Sequence, residues 1–180
     1  MASHVALIRG INVGGKNPVS MARLREKLGS RGVASRTYIA SGNVLLDTPD
    51  LDEPGVEALV EGVLREEFEV DTVVVGVAQA RMRAAVDDAP AGFGTEPHLY
   101  HSDVAFLRAG VDASEAFGAF GLREGVDAGW PGRGMVYFRR LSAQRTKSRM
   151  NKVMSTPFYA DMTIRSWTTT VTLVELLDGG

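Results

Sequence analysis

Hydrophobic positions along the chain change their period in an order that repeats. HVALIRG (4–10) is a short apolar run, as in a buried strand, and Met21, Leu24 and Leu28 recur at helical spacing over about 21–31. Ser20 ahead of that helix and Gly32 behind it supply an N-cap and a C-terminal stop. RTYIAS and NVLLD read as two strands turned by Gly42 and Asn43. A second helix over about 54–68 opens at Pro54 and aligns Val56, Leu59, Val60, Val63 and Leu64 on one face, and DTVVVGVA follows as a strand. The order is β-α-β-β-α-β.

A helix over about 79–88 and a loop rich in Pro and Gly through 97 separate this from a second run of the same order. It comprises strand 103–109, helix 112–120, a strand near 122–127, a turn at GWPGRG, strand MVYFRR, a helix within 147–155 and strand MTIRSW; TTTVTLVELL closes the chain as a helix. The expected fold is therefore α+β, with two ferredoxin-like split β-α-β units in tandem over residues 1–90 and 91–180 and an extra C-terminal helix. Tyr38, Tyr137, Phe138, Tyr159 and Trp167 fall on or beside strands and are expected to pack in the interior, whereas Trp130 is expected at an exposed hairpin tip.

Composition narrows the chemistry. At 180 residues with 44% hydrophobic and 23% charged side chains the chain is ordinary globular protein, with no apolar run near membrane-spanning length. MASHVALIRG has no charged leader or cleavage site, so a cytoplasmic protein is expected. The absence of cysteine excludes disulfides, thiol nucleophiles, iron–sulfur clusters and thiolate zinc sites. His4, His98 and His101 are the only histidines, the last two beside Pro97 in an expected loop, and no metal or cofactor is expected.

Net charge is −2, unevenly spread: residues 1–46 carry seven Lys or Arg against one acid, residues 47–99 three against thirteen, and residues 131–180 eight against three. A basic surface forms if the two ends of the chain meet, and otherwise each charge solvates its own element.

RGINVGGKN (9–17) matches a P-loop up to its last letter, where Asn17 replaces the hydroxyl residue that would bind magnesium. Pro18 then disfavours helical backbone at Asn17, so no helix starts at Lys16 to hold phosphates, and two adjacent strands break the parallel order such a site needs. Two readings remain. Arg9, Asn12, Lys16 and Asn17 with the amides around Gly14 and Gly15 can form an anion-binding nest, or the glycines supply positive φ and the Asn side chains cap backbone groups in a crossover loop.

A second polar cluster, QRTKSRMNK (144–152), gathers Arg145, Lys147, Arg149, Asn151 and Lys152 around a helix start expected at Ser148, where cations oppose the helix dipole unless an anion offsets them. Ser41, Gly42 and Asn43 form a third, which equally reads as a plain hairpin turn.

ALIRGINVGGKNPVSMARLREKL, TYIASGNVLL, SRMNKVMSTPFY and TIRSWTTTVTLVELL together resemble the successive motifs of domain-of-unknown-function family 1697 over essentially the whole chain. The resemblance implies a mostly bacterial, cytoplasmic α+β protein with two ferredoxin-like halves and no established catalytic activity. The family's motif positions fall on Arg9, Gly10, Asn12, Gly14, Gly15, Lys16 and Asn17, on Ser41, Gly42 and Asn43, and on Ser148, Arg149, Asn151 and Lys152. Where the family usually shows Asn-Trp-Asn, this chain has Ser166, Trp167 and Thr168.

The function expected from these features is binding of a phosphorylated small molecule, a nucleotide or a nucleic-acid backbone in one cationic site built from the three segments. The alternatives are an enzyme acting on an anionic substrate, for which no general base or nucleophile stands out, and a protein interaction module.

Overall fold

The computed structural model describes residues 1–179. The chain is α+β and divides into two compact units, one of Met1–Met82 with Leu173–Gly180 and one of Arg83–Thr172. Each carries one four-stranded, wholly antiparallel sheet.

In the first unit the elements run β1 (His4–Ile8), α1 (Met21–Gly29), β2 (Ser35–Tyr38), β3 (Asn43–Leu46), α2 (Glu53–Phe68) and β4 (Val74–Ala78), with strand order β2-β3-β1-β4. Alternation along the strands puts Ala6, Ile8, Val44 and Leu46 on the face that meets Leu24, Leu28, Val56, Val60, Val63 and Leu64 of the two helices. Each such Leu, Ile or Val contributes about 1.5–3 kcal/mol by leaving water. The Ser20 hydroxyl accepts the Arg23 amide and caps α1, and Asp52 caps α2 through the Gly55 amide.

α2 lies against β4 through a ladder of carboxylates. Glu53, Glu57 and Glu61 accept the backbone amides of Ala78, Gly76 and Val74 at 2.8, 3.1 and 3.0 Å. Four helical residues rise about 6 Å and two strand residues about 6.6 Å, so the spacings match and one glutamate per turn meets every second amide. Gly76 permits the approach, since a Cβ there would lie 2.5 Å from the Glu53 carbonyl oxygen.

α3 (Gln79–Asp87) crosses from the first unit into the second, where β5 (Tyr100–Leu107), α4 (Ala113–Gly118), β6 (Asp127–Gly132), β7 (Met135–Leu141) and β8 (Met162–Ser166) repeat the order as β6-β7-β5-β8. Ala105, Leu107, Val136, Phe138 and Met162 of this sheet pack on Ala116, Phe120, Met150 and Val153. α5 (Trp167–Asp178) ends the fold. No helix among the described residues is long and apolar enough to cross a membrane.

Four expectations are corrected in the second unit. The strand expected near 122–127 is β6, and it takes up most of GWPGRG: the reversal narrows to Arg133 and Gly134, the latter at φ 72°. Pro131 is compatible because β6 is an edge strand, where a missing amide donor is tolerated. Trp130 is accordingly no exposed tip; it pairs with Tyr137, and its ring meets Phe93 edge-on at 6.1 Å. The helix expected within 147–155 is replaced by three 3₁₀ segments, Ser142–Lys147, Met150–Ser155 and Pro157–Asp161. The residues after Ser148 form a short 3₁₀ segment, so no α-helix starts there and the macrodipole argument for its cations lapses. His101 lies within β5 and not in a loop.

Candidate functional site

The RGINVGGKN loop leaves β1 and folds back on itself. Val13 and Lys16 form a bridge closed by the Lys16 amide on the Val13 carbonyl at 3.1 Å, with Gly14 and Gly15 between them at φ 59° and 73°. Positive φ at both central residues is what a two-residue type I′ hairpin turn demands. The glycine pair therefore makes a turn with the Lys16 side chain exposed beside it.

Asn12 is committed to the scaffold. Its Nδ2 donates to the carbonyls of Val19 and Ala40, both at 2.8 Å, and its Oδ1 accepts the Val19 amide at 2.8 Å. Asn17 donates to the Gly10 carbonyl at 3.1 Å. The Ala40 contact joins this loop to the SGN turn, and the Ile8 amide reinforces the join by donating to the Gly42 carbonyl at 2.8 Å. Asn43 is fully buried, its amide shared between the Tyr38 carbonyl at 3.1 Å and the Ser41 hydroxyl at 3.3 Å. Two of the three polar segments thus meet, in the first unit, through bonds that hold backbone.

The third segment belongs to the second unit. There Asp127 Oδ2 accepts the amides of Arg123 and Arg149 at 3.0 and 2.9 Å, with the Ser148 hydroxyl beside the carboxylate. Burial alone would raise its pKa, but those donors and the charge of Arg140 outweigh it and hold the carboxyl below the ordinary aspartate range. Ser148 and Arg149 are therefore anchors of the segment, while Asn151 and Lys152 are exposed.

Beside this anchor a pocket of about 260 Å³ is lined by His101, Arg140, Ser142 and Arg145. β5 and β7 position its floor, since His101 and Arg140 are directly opposite in the ladder. The Arg140 guanidinium has donors to spare: Nε is buried with no hydrogen-bond partner, and one terminal nitrogen meets only the Met150 sulfur at 3.7 Å. Of the nearby carboxylates, Asp127 is engaged through Oδ2 alone, its Oδ1 being buried with no hydrogen-bond partner, and Asp103, buried at 5% exposure, points an oxygen to His101 Nε2 at 3.1 Å. Burial pushes the Asp103 carboxyl up, against the pull of His101 and Arg140.

A larger cavity of about 300 Å³ in the first unit is lined by Ala34, Ser35, Arg36, Leu45 and Asp47 among others. Its one guanidinium, Arg36, donates to the Leu176 carbonyl at 2.8 Å.

The model of a family described as protein of unknown function (DUF1697) matches residues 1–137. The chain belongs to the DUF1697 family. Among solved structures, the conserved bacterial protein SP0830 from Streptococcus pneumoniae is similar at 26% identity and a TM-score of 0.81, over 98% of each chain. No curated protein matches.

In this DUF1697 protein the pocket residues His101, Arg140 and Ser142 lie outside the motif segments, and His101 was expected in a loop. A signal was present: His101 and Asp103 are two apart, which on a strand puts both on one face. Reading 98–101 as loop hid it.

Proposed function

We propose that this DUF1697 protein binds a small phosphorylated molecule in the pocket of its second unit. The observation that carries the reading is the Arg140 guanidinium, half-buried at a cavity wall with its Nε unpartnered, while Oδ2 of Asp127 is engaged by two backbone amides and Oδ2 of Asp103 by His101. A guanidinium so placed suits a phosphate oxygen, and Arg145, His101 and the Ser142 hydroxyl line the same cavity. Its volume of about 260 Å³ fits a compact ligand. In this reading the loop of Arg9–Asn17 and the SGN turn serve as scaffold for the first unit, and Lys16 and Lys152 add exposed positive charge. Both units are taken as ferredoxin-like, for which the shared strand order is the support, and a bacterial setting agrees with the source of SP0830.

The test is calorimetric titration and thermal shift of the full chain with inorganic phosphate, glycerol 3-phosphate, AMP and a short single-stranded RNA at two salt concentrations. A ligand at about 100 times its Kd stabilises the fold by about 2.7 kcal/mol. Binding of the small phosphates that weakens at least tenfold in Arg140→Gln supports the reading. Binding of RNA alone, with a steep salt dependence, replaces it with backbone recognition. No binding by any of them removes it.

A further inference from the structure

We infer that the pocket is catalytic toward small alkyl phosphate monoesters, with His101 as the general acid that protonates the leaving alcohol oxygen. The inference rests on the anion-pocket reading and adds to it a proton donor in place. His101 Nε2 is held 3.1 Å from the buried Asp103 Oδ2, which fixes the ring; Nδ1 has no protein partner among the described residues. The ring is half exposed and lines the same cavity as Arg140 and Arg145. A carboxylate that orients an imidazole, an imidazole open to a cavity and two guanidinium groups beside it supply what ester cleavage needs: a proton for the departing oxygen and positive charge for the phosphoryl oxygens.

The step balances as follows. Water adds to phosphorus and the bond from phosphorus to the ester oxygen breaks; its electron pair stays on that oxygen, which takes the proton from His101. The dihydrogen phosphate formed returns a proton to His101, so the sum is ester plus water giving alcohol plus hydrogen phosphate. The charged groups that bear on His101 are Asp103 on its own strand, Arg140 across the ladder and Arg145 on the 3₁₀ segment after β7.

The experiment follows release of inorganic phosphate from glycerol 3-phosphate and from p-nitrophenyl phosphate by the full chain, His101→Asn and Arg140→Gln, with phosphate binding measured in parallel. An alkoxide leaves only with a proton, whereas p-nitrophenolate hardly needs one. The inference expects His101→Asn to lower kcat on the glycerol ester about 10²-fold or more and to affect the p-nitrophenyl ester far less. An equal loss on both esters points to a structural role for His101 and overturns the inference. Phosphate binding without turnover of either ester overturns it too and leaves the binding reading standing. Absence of phosphate binding removes both.

Discussion

The carboxylate of Asp127 accepts the backbone amide of Arg149 at 2.9 Å, and through it the irregular segment after β7 is tied to the edge strand β6. The same oxygen holds the Arg123 amide at 3.0 Å. Replacing Asp127 by Ala strips both amides of their acceptor, and a charged acceptor is worth about 1.5–3 kcal/mol. The expected outcome is a lower urea midpoint with an unchanged slope. The folded-state pKa of Asp127 lies below the ordinary 3.8, so its contribution is complete above that value and is lost as pH falls through the folded pKa. Asp103, shifted upward by burial, works in the opposite sense: it favours the folded state at low pH, and that advantage fades as pH rises from 3.8 through its folded value. Urea unfolding against pH in Asp127→Asn and Asp103→Asn separates the two.

In the first unit, Glu57 is expected to tolerate Gln and not Leu. Leu would leave the Gly76 amide without its acceptor, a loss of about 1–3 kcal/mol for a buried donor. Gln keeps an acceptor oxygen at the same reach, so chemical denaturation of the two variants tells acceptor geometry from simple packing.

Glycine replacements should rank by surroundings. Gly42 has φ 92°, and a Cβ there would lie 2.8 Å from Ile8 Cβ and 2.9 Å from Ile11 Cδ1. Gly42→Ala therefore combines backbone strain with overpacking, which alone costs about 1–3 kcal/mol. Gly14→Ala and Gly15→Ala meet open space and incur only the left-handed backbone penalty of about 1–2 kcal/mol each. Melting temperatures that place Gly42→Ala above the other two would remove this account of the SGN turn.

Asn12 and Lys16 sit four residues apart and should behave oppositely. Asn12→Ala loses three hydrogen bonds at 2.8 Å and is expected to lower stability by about 2–3 kcal/mol. Lys16→Ala alters an exposed side chain and should stay within about 0.5 kcal/mol. If instead Lys16→Ala abolishes phosphate binding while Arg140→Gln preserves it, the nest at the hairpin is the ligand site.

The element order was legible because both units are built from strong periodicities. Leu24, Leu28, Val60 and Leu64 mark their helices, Ser20 caps where a cap was expected, and apolar runs mark the central strands. What sequence could not separate was turn chemistry from edge-strand chemistry. Gly129, Trp130, Pro131 and Gly132 look like a turn, yet an edge strand accepts Gly and Pro because only one side of it is paired. SRMNK read as a helix because Ser148 looked like its start, but the Arg149 amide that follows is held by Asp127, a partner more than twenty residues away. The polar motifs were found and their work was not: whether an asparagine faces a ligand or a carbonyl depends on which turn stands opposite, and Asn12 finds Ala40.

The glutamates of α2 have a consequence outside the unit they stabilise. β4 is an outer strand of its sheet, and the amides of Val74, Gly76 and Ala78 would otherwise invite another chain to dock alongside. With a carboxylate seated on each, and Arg81 paired with Glu53 and donating to the Gly76 carbonyl, those amides are taken before an incoming strand could reach them. The sheet is closed to growth on that side, a safeguard against fibrillar association written into one helix at every fourth residue.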